Sequence, residues 1–218
     1  MDDAFLAATR DSYDVLAAAG YADRLPLDLD SKPLDRALYG AFADLVKAGG
    51  NGPVADVGCG PGWMTAELCR LGLGAFGIDL SPGMTGLARS RYPDLRFEVG
   101  SMLALDLADG VLGGLLATYS IIHVPWERRP ELFTEFLRVL APGGQLMLVF
   151  QVGDERGHRT EAFGKPVCLD WYRQRPGEVA ELLRDAGFDV WAEILRQPGA
   201  GEKVPQGYVL ARKPPAAP

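Results

Sequence analysis

The chain has 218 residues, 48% of them hydrophobic, enough for one substantial core and too few to demand a second domain. Lys and Arg total 22 against 29 Asp and Glu, and the net charge of −7 disfavours general adhesion to a phosphate backbone, so no nucleic-acid partner is expected. The three cysteines, Cys59, Cys69 and Cys168, form no CxxC pair, which suggests neither a disulfide framework nor a zinc site and fits a reducing cytoplasm. Met1-Asp2-Asp3 opens no basic and apolar leader, and the longest apolar run, Val111 to Ile122, is shorter than the ~20 residues of a membrane span. A cytoplasmic protein without membrane association is expected.

In chain order, the first 30 residues carry Phe5, Tyr13, Leu16 and Tyr21 on a short helical pattern. After Ser31 and Pro33, the stripe Leu34, Leu38, Phe42 and Leu45 predicts a helix. The segment VADVGCGPG (54–62) then reads as a buried strand running into a loop with three alternate glycines, Gly58, Gly60 and Gly62, followed by a helix from Met64 to Leu71. Glycine lets the backbone turn with unusual dihedrals and lets a ligand approach the main chain, and the helix behind it offers free N–H groups to a carboxylate or phosphate. The dinucleotide fingerprint G-x-G-x-x-G, read from Gly58, needs a glycine where this chain has Trp63, which argues against a nicotinamide or flavin dinucleotide.

The next strand, Ala75 to Ile78, ends in Asp79, one βα unit on. A carboxylate there can accept both hydroxyls of a ribose, or can serve to cap the helix announced by Ser81-Pro82. Further strands are predicted at Leu95–Val99, Leu112–Thr118 and Gln145–Phe150, with helices around Ala104 and from Pro130 to Leu140. This alternation predicts a parallel sheet covered on both faces. A helix from Pro176 to Ala186 stops at Gly187, and the runs Val190–Leu195 and Tyr208–Ala211 should pair antiparallel.

With these residues in place, the chain resembles the class I S-adenosylmethionine-dependent methyltransferases of small-molecule type. DVGCGPG (56–62) matches their glycine motif, Asp79 their ribose acid, GSM (100–102) their adenine segment and LAPGG (140–144) the turn before their fifth strand, over roughly residues 30 to 212. Ser101 stands where the family more often has an acid. The resemblance implies a doubly wound, mostly parallel seven-stranded α/β sheet with an antiparallel C-terminal hairpin. It implies S-adenosyl-L-methionine as cofactor, S-adenosyl-L-homocysteine as product, a small-molecule acceptor with an O, N or C nucleophile, and no metal. The cofactor contacts it implies are Asp56, Gly58, Cys59, Gly60, Gly62, Asp79, Leu80, Ser101 and Met102, with Tyr119 and Ser120 near the amino group.

One domain is expected over 1–213, with 1–30 as a helical lid, 153–170 as a loop over the acceptor and 214–218 as a frayed tail. Under such a lid Tyr13 would lie over the methyl group and Lys32 would reach the methionine carboxylate; otherwise they are a core tyrosine and a solvated lysine. His123 follows the loop after Thr118 and serves either as a general base or as packing beneath the site. His158, Arg159 and Glu161 fall in the second cover as acceptor-facing candidates, His158 also as a possible base. Two other readings stay open: a binding module of the same fold that transfers no methyl group, and an NAD-dependent oxidoreductase.

Overall fold

The computed structural model describes residues 4–24, 28–50, 52–199 and 201–216. Three helices come first, α1 (Ala4–Ala18), α2 (Tyr21–Arg24) and α3 (Pro33–Ala48). Then β1 (Val54–Val57), α4 (Trp63–Arg70), β2 (Ala75–Asp79), α5 (Pro82–Arg91) and β3 (Phe97–Val99) alternate as expected, and β4 (Leu112–Thr118) follows β3 without a helix between them. The remainder is α6 (Arg129–Val139), β5 (Leu140–Gln151), β6 (Arg156–Ala162), β7 (Lys165–Tyr172), α7 (Pro176–Asp185), β8 (Asp189–Arg196) and β9 (Gln206–Arg212).

Seven strands form one sheet in the order β3-β2-β1-β4-β5-β9-β8. The pairs from β3 to β5 are parallel, whereas β9 runs antiparallel to both β5 and β8. The expected sheet and its antiparallel C-terminal hairpin are both present. β5 shows why the sheet is covered twice: Leu146, Leu148 and Phe150 pack with Phe133 and Phe136 of α6 and Leu183 of α7, and the alternate Met147 and Val149 pack with Phe42 and Val46 of α3. Strand order reverses between β1 and β4, and the crevice beyond the C-terminal ends of those strands is where open α/β sheets bind ligands.

Two expectations are corrected. No helix forms around Ala104; instead the side chains of α6 bind that backbone, Glu135 accepting from the Leu105 amide at 2.6 Å and Arg138 donating to the Leu105 and Leu107 carbonyls at 3.0 and 2.8 Å. Residues 153–170 are not a loop but mostly the β6–β7 hairpin, a separate two-stranded sheet. Its alternation was hidden because β6 is charged on both faces, yet Phe163 and Gly164 at the turn both have positive φ, +52° and +72°, as a tight two-residue hairpin requires.

The first helix holds this hairpin in place. The Ser12 hydroxyl accepts from the Cys168 amide at 2.8 Å and donates to the Cys168 carbonyl at 3.2 Å, filling the open edge of β7. Of the expected tail, 217 and 218 lie outside the described residues, as do 1–3 and 25–27 of the expected lid. Among the described residues no helix is long and apolar enough to cross a membrane.

Candidate functional site

A cavity of 540 Å³ opens at the C-terminal ends of β1, β2 and β4, within the roughly 300–1,000 Å³ usual for small-molecule sites. Its floor is the glycine loop and its roof is α1 with the β6–β7 hairpin. Gly58 has φ +76°, and a Cβ there would stand 2.2 Å from the Cβ of Ser120, so only glycine lets the loop after β4 close against the loop after β1. Ser120 secures that approach by donating to the Val57 carbonyl at 2.7 Å. Gly62 acts on packing instead. It lies outside the cavity lining, and a Cβ on it would meet the Phe97 ring at 2.7 Å, so it lets α4 pack against β3.

The two strand-end acids line the floor side by side. Asp79 accepts from the Gly60 amide at 2.8 Å through one oxygen and from the Ser81 amide at 2.9 Å through the other. A carboxylate has about four acceptor positions, so two remain for ligand hydroxyls. Burial raises its pKa against the lowering effect of those amides. Asp56 is fully buried; Thr65 donates to its Oδ2 at 2.7 Å and its Oδ1 has no partner. Burial pushes its pKa up to about 7, opposed by the hydrogen bonds to Thr65. An orphaned carboxylate oxygen in the lining of a cavity calls for a donor from the ligand, and an ammonium group supplies one.

Opposite, at the roof, Tyr13 and His123 are hydrogen-bonded, Tyr13 Oη to His123 Nε2 at 2.8 Å. The His123 Nδ1 is 2.7 Å from the Asp170 carbonyl, which can only accept. Nδ1 therefore carries the proton, and Nε2 accepts from the Tyr13 hydroxyl. Burial lowers the His123 pKa, keeping the ring neutral, and raises that of Tyr13. Tyr119, also in the lining, holds φ +53°, uncommon for a side chain other than glycine and a form of strain found at ligand sites.

The structure thus gathers Asp56, Gly58, Cys59, Gly60, Asp79, Leu80, Ser101, Met102, Tyr119, Ser120, Tyr13, Lys32 and His123 around one cavity. Lys32 is paired with Glu202 at 2.9 Å. His158 stands elsewhere, on the outer face of the hairpin, bonded through Nδ1 to Asp170 at 2.8 Å; Glu161 is exposed and outside the lining, while Arg159 is within it.

A family model described as a methyltransferase domain matches residues 54–144, which hold the glycine loop, both acids and the loop after β4. Trans-aconitate 2-methyltransferase of Escherichia coli is 33% identical over 154 residues, covering 67% of this chain and 55% of the relative. These matches support the class I S-adenosylmethionine-dependent methyltransferase family. Demethylmenaquinone methyltransferase of Beutenbergia cavernae is 31% identical over 123 residues, covering 56% of this chain and 50% of the relative. The chain spans about half the length of these curated relatives. Among solved structures the DhpI–SAH complex shares the fold, with a TM-score of 0.74, 20% identity and coverage of 99% and 100% of the two chains.

Several residues of this site were not singled out from sequence. Asp14 accepts from Ser81 Oγ at 2.5 Å and from the Gly83 amide at 2.8 Å, tying α1 to the first turn of α5. Ser12, Tyr13 and Asp14 thereby anchor the roof to three different elements. A run of polar residues inside an otherwise apolar helix was the available signal. Thr65 and Trp171 carried no local signal at all.

Proposed function

We propose that this chain transfers a methyl group from S-adenosylmethionine to a small molecule whose nucleophile loses a proton in the reaction. The observation behind this reading is that one cavity holds the Asp56–Asp79 floor and the Tyr13–His123 pair at its roof. The residues fit the cofactor: Asp79 has free acceptor positions for ribose hydroxyls, and Asp56 Oδ1 needs a cationic donor such as an α-ammonium group. When bound, the cofactor supplies an activated methyl on a sulfonium sulfur. The protein's work is then positioning and exclusion of water, for which α1 and the hairpin serve as covers.

Tyr13 and His123 hold a proton route. The nucleophile's proton passes to the Tyr13 oxygen as the Tyr13 hydroxyl proton passes to His123 Nε2, leaving an imidazolium that still donates through Nδ1 to the Asp170 carbonyl. Oxygen and nitrogen acceptors suit this relay. We assign the protein to the cytoplasm, in keeping with three free cysteines, and its acidic charge supports a small-molecule rather than a nucleic-acid acceptor.

Calorimetric titration with S-adenosylhomocysteine tests the foundation. Micromolar binding is expected. Asp79→Ala should weaken it about 100-fold or more, since two charge-assisted hydrogen bonds, each about 1.5–3 kcal/mol, are lost. Absence of binding by the wild type would refute the reading, and an unchanged affinity in the variant would remove the ribose role. A screen of acceptors for release of S-adenosylhomocysteine separates transfer from a binding module.

A further inference from the structure

The cavity is lined by four side chains that carry a fixed positive charge, and their pairing differs. Arg10 is bound to Asp11 at 2.8 Å, Lys32 to Glu202 at 2.9 Å and Arg173 to Glu155 at 3.1 Å. The Arg159 side chain makes no hydrogen bond or ion pair with any of the described residues.

The acid next to its partner on the facing strand is turned away. Asp170 faces outward, bonded to His158 at 2.8 Å, because successive residues of a strand point to opposite faces. Arg159 pairs in register with Leu169, and Gly157 pairs with Trp171, both partners lining the cavity. A Cβ on Gly157 would stand 2.3 Å from the Trp171 ring, so the glycine lets that ring lie flat across β6 beside Arg159. The guanidinium is close enough to the Tyr13–His123 pair to act on both electrostatically, adding a little to the burial-driven lowering at His123 and slightly opposing the burial-driven rise at Tyr13.

The cavity therefore has polarity. Its floor carries Asp56 and Asp79, and its roof carries an uncompensated cation beside an apolar wall. Arg159 is solvent-exposed, and an exposed arginine needs no partner on an ordinary surface; at the mouth of a cavity, beside tryptophan and leucine, it is placed to recognise an anion. A single planar guanidinium matches the two oxygens of a carboxylate; a phosphate dianion commonly draws several free cations, whereas the other cationic side chains of the lining, Arg10, Lys32 and Arg173, are each already paired with an acid.

We infer that the acceptor is an amphipathic carboxylate, its acid group held by Arg159 and its apolar body lying along Trp171 and Leu169, with the nucleophile presented to Tyr13. This rests on the methyltransferase reading above and adds the substrate class. The carboxylate is the handle; the group that is methylated is the one facing the Tyr13 hydroxyl.

The test uses the whole protein saturated with S-adenosylhomocysteine and two matched probe pairs, 3-phenylpropanoate against 3-phenylpropanamide and 4-hydroxybenzoate against 4-hydroxybenzamide, titrated by calorimetry. At least one acid should bind about tenfold or more tighter than its amide, the effect of one charge-assisted pair. Arg159→Met should abolish that preference and Arg159→Lys should restore part of it, with affinity for S-adenosylhomocysteine unchanged in both, which also shows that the variants fold. Equal binding of acid and amide, no binding of either acid, or a preference that survives in Arg159→Met overturns the inference while leaving methyl transfer standing. Failure of S-adenosylhomocysteine itself to bind would overturn both.

Discussion

Asparagine in place of Asp56 should stabilise the free protein at alkaline pH while weakening its hold on the cofactor. Asp56 is fully buried, accepts one hydrogen bond from Thr65 at 2.7 Å and leaves Oδ1 unpartnered. Its pKa rises from 3.8 to about 7 on folding. The folded state thus binds more protons than the unfolded chain between those values, and stability falls as pH rises through this window, the reverse of the usual carboxylate. The cost is on the order of 4 kcal/mol once Asp56 is fully ionised.

Asparagine keeps the shape and the acceptor for Thr65, but its amide adds an unsatisfied donor that costs about 1–3 kcal/mol. The net gain at pH 8 should be about 1–3 kcal/mol, or a melting temperature higher by roughly 2–10 °C in a chain of this size. At pH 4.5, where Asp56 is protonated in the folded state, the gain should vanish. Cofactor binding should move the other way. Losing one charge-assisted contact to an ammonium weakens S-adenosylhomocysteine binding about 10- to 100-fold, and the rise in wild-type affinity as pH approaches 7 should flatten. Melting scans by circular dichroism and calorimetry at pH 4.5, 6, 7 and 8 read both effects. A variant that melts lower than wild type at pH 8, or one whose affinity still climbs with pH as before, would refute the reasoning.

Tyr13→Phe keeps the edge contacts of the ring with His123 and Tyr21 but removes the hydroxyl. Turnover with an acceptor found by screening should fall about 100- to 10,000-fold, with affinity for S-adenosylhomocysteine unchanged, and an unaltered rate would dismiss the proton relay. Two glycines of the loop should respond in opposite ways. In Gly62→Ala the new methyl would lie 2.7 Å from Phe97 at φ +85°, so the protein should lose about 1–3 kcal/mol more stability than Gly60→Ala, whose Cβ meets nothing within 4 Å. Gly60→Ala should instead weaken S-adenosylhomocysteine binding, since Gly60 lines the cavity and donates to Asp79. Urea melts and calorimetry distinguish them, and equal loss of stability would contradict the packing role of Gly62.

The residues in reach of one βα unit were legible without coordinates. DVGCGPG and Asp79 are separated by a single helix, and the backbone of each is governed by local rules: a β run, glycines at positive φ, a Ser-Pro helix start. The antiparallel end of the sheet followed equally from a short connection between two β runs. The sequence also placed Tyr13, Lys32 and His123 near the site, though only through resemblance.

The hairpin was not legible, because β6 shows charge where alternation is read from hydrophobicity, and its strands are held by α1 rather than by the main sheet. Nor could the sequence join Tyr13 to His123 across 110 positions, His123 to Asp170 across 47, or leave the Arg159 side chain without a partner among the described residues. Those are facts about which side chains meet. Periodicity and turn chemistry determine which face of an element is buried and where it ends; the tautomer of a histidine, the orphaning of Asp56 Oδ1 and the charge at the roof are decided by contacts between elements, which only the folded chain brings together.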